Sequence, residues 1–173
     1  MKKSILGLIA LTAIVCMASF TYISSSKIEN KEFSKKALSE NLMSFDGKQI
    51  PFEKILKKYK GKNLVIEVWG SWCSDCIKAM PDVKELQANN PEVSFVFISM
   101  DKTAEKWKAG IEKYQLKGDH YMANDQMKGE FGKAIELDWI PRYIVINKKG
   151  QIEIYRAVET DFEKINTTLK KLQ

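Results

Sequence analysis

The sequence predicts an α/β protein with a central mixed β-sheet flanked by helices, and three observations carry that prediction. Two apolar runs, Leu64–Trp69 and Val93–Met100, are separated by a helical pattern, as buried strands joined through a helix would be. Near the C-terminus, Tyr143–Ile146 and Gln151–Tyr155 flank the polar turn Asn147-Lys148-Lys149-Gly150, which reads as a hairpin followed by one more helix. The chain has 173 residues, 45% of them hydrophobic, enough for one buried core and a targeting segment.

The elements follow in order. Lys2 and Lys3 precede an uncharged stretch from Ser4 to Ser26, with its apolar heart from Ile5 to Ala18. A basic start, an apolar run and small residues after it read as an export signal, so residues 1–26 are a signal peptide or an N-terminal membrane anchor. Cys16-Met17-Ala18 offers a cleavage site, and the uncharged run is close to the ~20 residues that span a bilayer. A third fate is lipidation at Cys16, although Val15 stands where a small residue is usual. Residues 27–45 read as a polar linker or helical lead-in to a domain at 46–173.

Asp46-Gly47 marks a short hairpin before the core. Phe52–Tyr59 is a brief helical pattern stopped at Gly61, and Leu64–Trp69 is a strand. A helix follows from Cys76 to Ala88, with Ile77, Met80, Val83 and Leu86 on one face and Pro81 predicting a kink. After the second strand, Thr103–Tyr114 is a helix that places Trp107 and Ile111 together. Gly118–Asn124 reads as a loop, and Gln126–Leu137 as a short helix interrupted by Gly129 and Gly132. Thr160-Asp161-Phe162-Glu163 has the form of a capping box opening the last helix.

Chemistry concentrates at Trp72-Cys73-Ser74-Asp75-Cys76, where the first strand turns into its helix. A cysteine at a helix N-terminus meets unpaired N–H groups and the positive end of the helix dipole, both of which favour its thiolate. Export places the pair where disulfides persist, and a staple across so short a loop would constrain little of the unfolded chain. Exchange chemistry is therefore favoured over a structural role. A closed zinc site would need more ligands than one CxxC and the single histidine, so no metal is assigned. The net charge of +6 falls with the leader, which carries Lys2 and Lys3, to 26 cationic against 22 anionic side chains. The remaining lysines (Lys35-Lys36, Lys57-Lys58, Lys60, Lys148-Lys149, Lys170-Lys171) are scattered among acids and read as solvated faces. No basic stripe with exposed aromatics is visible, which argues against nucleic acid as a partner.

Three features together resemble the thioredoxin fold and, within it, the exported TlpA/ResA-like thiol:disulfide oxidoreductases. They are Val68-Trp69-Gly70-Ser71-Trp72-Cys73-Ser74-Asp75-Cys76, the pair Ile140-Pro141 before a strand, and the Phe95–Asp101 strand with a Trp-bearing helix after it. The resemblance covers Phe45 to Gln173. It implies a thioredoxin-like fold and a redox-active dithiol acting on protein disulfides, without a cofactor. It also implies an upstream membrane or periplasmic thiol donor, a periplasmic or extracytoplasmic location with membrane attachment through the N-terminus as one option, and a place in cytochrome c maturation. Pro141 would be a cis-proline that leaves the Ile140 backbone to pair with an extended substrate and keeps metal ions from the cysteines. Ser74-Asp75 departs from the Gly-Pro or Glu-Pro usual in the family.

In this reading Cys73 attacks and Cys76 resolves the mixed disulfide. Asp75 puts a carboxylate beside the thiolate, which opposes the helix dipole and makes the dithiol a better reductant. Ser74 shares this tuning position. Glu67 interrupts an apolar strand where thioredoxins carry a buried acid, and burial would raise its pKa so that it can take the Cys76 proton. Trp72 is read as a substrate contact and Trp69 as core. Peroxide reduction is a rival activity. A different class of rival is a copper chaperone that adds His120 to the two thiols. The chain has no CxxCH of its own and is no haem carrier.

Overall fold

A computed structural model of the protein describes residues 32–173. The leader read at residues 1–26, with Cys16, lies outside the described residues. Among the described residues no helix is long and apolar enough to cross a membrane.

Among the described residues seven strands form one sheet: β1 (Asn41–Ser44), β2 (Gln49–Pro51), β3 (Leu64–Trp69), β4 (Ser94–Ser99), β5 (Asp119–Ala123), β6 (Arg142–Ile146) and β7 (Ile152–Ala157). Their order across the sheet is β2-β1-β5-β4-β3-β6-β7. The centre, β3, β4 and β5, is parallel, while β6, β7, β1 and β2 join it antiparallel. All six residues of β3 are buried, which explains a run that is nearly all apolar rather than alternating. The helices are α1 (Lys35–Ser39), α2 (Phe52–Lys57), α3 (Ser74–Asn89), α4 (Ala104–Tyr114), α5 (Glu130–Ala134) and α6 (Phe162–Lys171). The mixed α/β sheet predicted from the sequence is the one observed.

Four local differences from the sequence reading have physical causes. The described part of the 27–45 segment is built into the domain: Ser34 caps α1, Ala37 and Leu42 are fully buried, and β1 pairs with both β2 and β5. One strongly apolar side chain in a four-residue strand leaves no period to read. Residues Gly118–Asn124 are not a loop, because β5 runs through them. Only its last three residues are buried, and its strand state comes from neighbours on both sides rather than from propensity. The 126–137 helix shrinks to α5, because Gln126 is left-handed at φ 61° and Gly129 is extended as the N-cap residue, so no helical turn precedes Glu130. Finally, Asp161 rather than Thr160 is the N-cap residue of α6, and its carboxylate accepts the Val158 N–H at 2.9 Å instead of capping the helix. The Asp46-Gly47 hairpin turn is present, with Gly47 at φ 84°, and α3 runs on through Pro81.

Candidate active site

β3 ends at Trp69, the chain turns through Gly70-Ser71-Trp72, and Cys73 becomes the N-cap of α3. The Cys76 N–H donates to the Cys73 sulfur at 3.1 Å, so one otherwise unpaired amide of the helix start is spent on that sulfur. Cys73 and Cys76 are joined as a disulfide. Cys73 is 6% exposed and Cys76 is sealed at 0%, so only the Cys73 sulfur can meet a partner. It lies 3.5 Å from the carbonyl oxygen of Ile140, and the Ile140–Pro141 peptide is cis.

Asp101 holds this turn in place. Its carboxylate, 1% exposed, accepts the Ser71 N–H at 3.1 Å, the Ser71 hydroxyl at 2.6 Å and the Ser99 hydroxyl at 2.7 Å. Strand β4 thereby pins the loop that leaves β3. Helix α4 presses on the same turn at Gly110, where a Cβ would lie 2.7 Å from Ser71 Cβ and 3.0 Å from the Trp69 ring.

Glu67 lies on β3 with 1% exposure, directly opposite Tyr143 of β6. Opposed residues share a face of the sheet. That face is covered by α3 and α6, because Phe162 packs on the Tyr143 ring at 5.1 Å and Asp82 of α3 acts on its phenol. The acid therefore sits beneath the helix that carries Cys76. Burial pushes Glu67 up to about 8; the Tyr143 hydroxyl, close by, pulls the other way. Neither carboxylate oxygen completes a hydrogen bond of good geometry, so the phenol offsets only part of the desolvation. Burial beside Glu67 and the carboxylate of Glu159 keeps the Tyr143 phenol protonated.

Outside the disulfide lies a groove of about 360 Å³, lined by Trp72, Asp75, Met127, Asp138, Trp139 and Ile140 along with Cys73 and Ser74. Trp72 and Trp139 are 56% and 53% exposed, whereas Trp69 is wholly buried. Asp75 is half-buried, with Lys78 3.6 Å away. Asp138 on the far wall is ion-paired to Arg142, a buried residue next to Pro141, and at 2.9 Å to Arg156 of β7. These pairs brace the segment that presents Ile140.

His120 does not join the cysteines. It lies on β5 in the row of Glu67 and Phe97, its ring stacked on Phe97 at 5.2 Å, and Nε2 is 3.2 Å from the Leu116 carbonyl. Two strand spacings, roughly 9.6 Å, and the Phe97 ring separate it from Glu67. Burial lowers its pKa, and among the described residues no group of three His, Cys, Asp or Glu side chains could hold a metal. The copper reading thus lacks its third ligand.

The structure brings Cys73, Cys76, Ser74, Asp75, Trp72, Ile140 and Pro141 together, with Glu67 beneath. It adds Asp101, Tyr143, Trp139 and the Asp138–Arg142 pair. An aspartate closing an apolar strand and a tryptophan two residues before Pro141 were visible signals. The partnership of Tyr143 with Glu67 was not, because it depends on strand register.

The Redoxin family model matches residues 32–171. The thiol-disulfide oxidoreductase ResA of Bacillus thuringiensis subsp. konkukian is 29% identical over 176 residues, 99% of this chain and 98% of that protein. ResA of Bacillus cereus (strain ATCC 10987 / NRS 248) is 30% identical over 149 residues, 85% of this chain and 82% of that protein. Among solved structures, a thiol-disulfide oxidoreductase from Bacteroides fragilis has a TM-score of 0.64 at 22% identity, covering 77% of this chain and 96% of its own. A secreted Mycobacterium tuberculosis disulfide oxidoreductase has a TM-score of 0.61 at 17% identity, covering 80% of this chain and 100% of its own. These two likenesses show the thioredoxin-like fold. With an exchangeable cysteine pair at its strand–helix turn and ResA over most of its length as a relative, this chain belongs to the Redoxin family, as a thiol–disulfide oxidoreductase of the ResA type.

Proposed function

We propose that this oxidoreductase works outside the cytoplasm as a reductant of disulfides in other exported proteins, with cytochrome c maturation as its pathway. The observation that carries the reading is the asymmetry of the pair: Cys73 opens to the groove against the Ile140 carbonyl, while Cys76 is sealed on the helix above buried Glu67. The basic start and apolar run of the leader support export, and its cleavage, retention as an anchor or lipidation would set the mode of attachment.

In the working direction, the Cys73 thiolate attacks one sulfur of a substrate disulfide and expels the other as a thiolate. Cys76 then gives its proton to ionised Glu67 and attacks the Cys73 sulfur. This forms the Cys73–Cys76 disulfide and releases the second substrate thiolate, so two electrons pass from dithiol to substrate. An upstream dithiol donor, which leaves as a disulfide once its second thiolate has freed Cys73, reverses the cycle by attacking Cys73. That expels Cys76 as a buried thiolate, which takes the proton that burial keeps on Glu67 in the disulfide form. The substrate segment lies along Ile140 and Pro141, between Trp72 and Trp139. Ser74 and Asp75 set the potential of the pair.

The test is substrate capture in the full chain. Cys76→Ser should accumulate a mixed disulfide at Cys73 with exported proteins, released by dithiothreitol, while Cys73→Ser captures none. Equal capture by both variants would overturn the assignment of roles.

A further inference from the structure

Seven lysines from separate parts of the sequence meet at the end of the molecule opposite the dithiol. β3 runs roughly 16 Å from Leu64 to Trp69, with Cys73 beyond its far end, and the lysines gather at the Leu64 end. The Gly61 N–H donates to the Lys148 carbonyl at 3.0 Å, which ties the loop carrying Lys60 and Lys62 to the β6–β7 turn carrying Lys148 and Lys149. The Asn63 side-chain amide donates to the Leu172 carbonyl at 3.1 Å and brings in the last turn of α6, with Lys170 and Lys171. Lys57 ends α2 beside them.

These charges are largely uncompensated. Among the described residues only Lys57 of the seven is ion-paired, with Glu53 at 2.5 Å. Glu92 and Glu153 bond to the neutral side-chain amides of Gln173 and Asn147 and keep their charge, so with Glu53 three carboxylates stand near seven lysines and the pole stays net positive. At the dithiol end, by contrast, the acids Asp75 and Asp138 are matched by Lys78, Arg142 and Arg156. The lysines also surround something apolar. A groove of about 180 Å³ is walled by Leu56, Leu64 and Ile146 and rimmed by Lys60, Lys62 and Lys149.

We infer that this pole docks on an anionic lipid surface, its lysines against the phosphates and its groove on the apolar boundary beneath them. Three chain segments present the lysines as a face, wider than one small anion can neutralise. A nucleic acid would call for aromatic side chains to stack its bases, and the large exposed hydrophobics, Phe45, Trp72 and Trp139, lie elsewhere. Clustered lysines beside an apolar patch suit an anionic bilayer. Docked this way, the chain turns its dithiol away from the membrane, toward substrates in the envelope.

The experiment is hydrogen exchange on the full chain with vesicles of phosphatidylcholine, with and without phosphatidylglycerol. Amides of residues 57–63 and 147–151 should be protected only by vesicles containing phosphatidylglycerol, and the protection should fade in high salt. Insertion of the N-terminal run acts in both vesicle types and does not imitate this. The combined variant Lys60→Gln, Lys62→Gln, Lys148→Gln, Lys149→Gln should lose this protection on the anionic vesicles while insulin reduction stays unchanged. Protection that ignores lipid charge or survives the substitutions overturns the inference. So does protection by a soluble short-chain phosphatidylglycerol without protection by vesicles, which would mark a site for a single molecule.

Discussion

Glu67 and Tyr143 face each other across the β3–β6 pair, each 1% exposed, and hold a carboxyl and a phenol in the core without a well-formed hydrogen bond to either. An acid raised from 4.5 to about 8 binds its proton more tightly in the folded than in the unfolded chain. Its contribution to stability is therefore fully present below the unfolded value and is lost as pH rises through about 8. The expected loss is several kcal/mol, on the order of 1.4 per pH unit across the window. Urea denaturation at stepped pH should show this slope in the wild type and a nearly flat profile in Glu67→Gln. Tyr143→Phe, which removes the group holding the acid down, should extend the slope to higher pH.

Among the described residues, the Asp101 carboxylate is the only acceptor for the Ser71 hydroxyl, in the turn before Cys73, and for the Ser99 hydroxyl at the end of β4. Asp101→Asn keeps the shape but turns one acceptor oxygen into a donor, leaving a buried hydroxyl or N–H unpaired. A loss of about 3 kcal/mol is expected, with slower insulin reduction. Chemical denaturation and turnover on the same sample check it, and unchanged values in both would remove Asp101 from the site's support.

The two exposed tryptophans flank the reacting sulfur. Trp139→Ala should raise KM for a folded protein disulfide about 10-fold and leave kcat near its wild-type value, since buried aromatic anchors at an interface contribute binding rather than chemistry. A small aliphatic disulfide, which does not reach Trp139, should be reduced at the wild-type rate. An equal loss on both substrates would mean that the tryptophan supports the fold.

Asp75 opposes the helix dipole at Cys73, and Lys78 at 3.6 Å offsets part of that charge. Redox titration against glutathione should place the wild type below about −180 mV, on the reducing side of disulfide isomerases. Asp75→Asn should raise the potential by about 10–20 mV, because the thiolate of the reduced form is then less disfavoured. A wild-type potential well above that bound would sink the reductant reading.

The dithiol turn, β3 and the acid at Glu67 were legible because each is local: a run of residues, a spacing, a charge in an apolar stretch; the cis-proline at Pro141 came only with the resemblance to the thioredoxin fold. The sheet class followed from the order of such runs. β5 escaped because its hydrogen bonds come from β1 and β4, far off in sequence, and its own side chains have no clear alternation. The same distance hid Tyr143 behind Glu67 and Asp101 behind Ser71, since register and strand order decide which side chains meet. Lysines that read as scattered solvated faces became one pole for that reason. Sequence alone determined which chemistry the chain carries, because thiols and a buried acid declare themselves by type and neighbours. Only the tertiary structure decided what holds the Cys73 sulfur in place and which end of the molecule gathers the lysines, because burial and pairing exist only once distant segments pack.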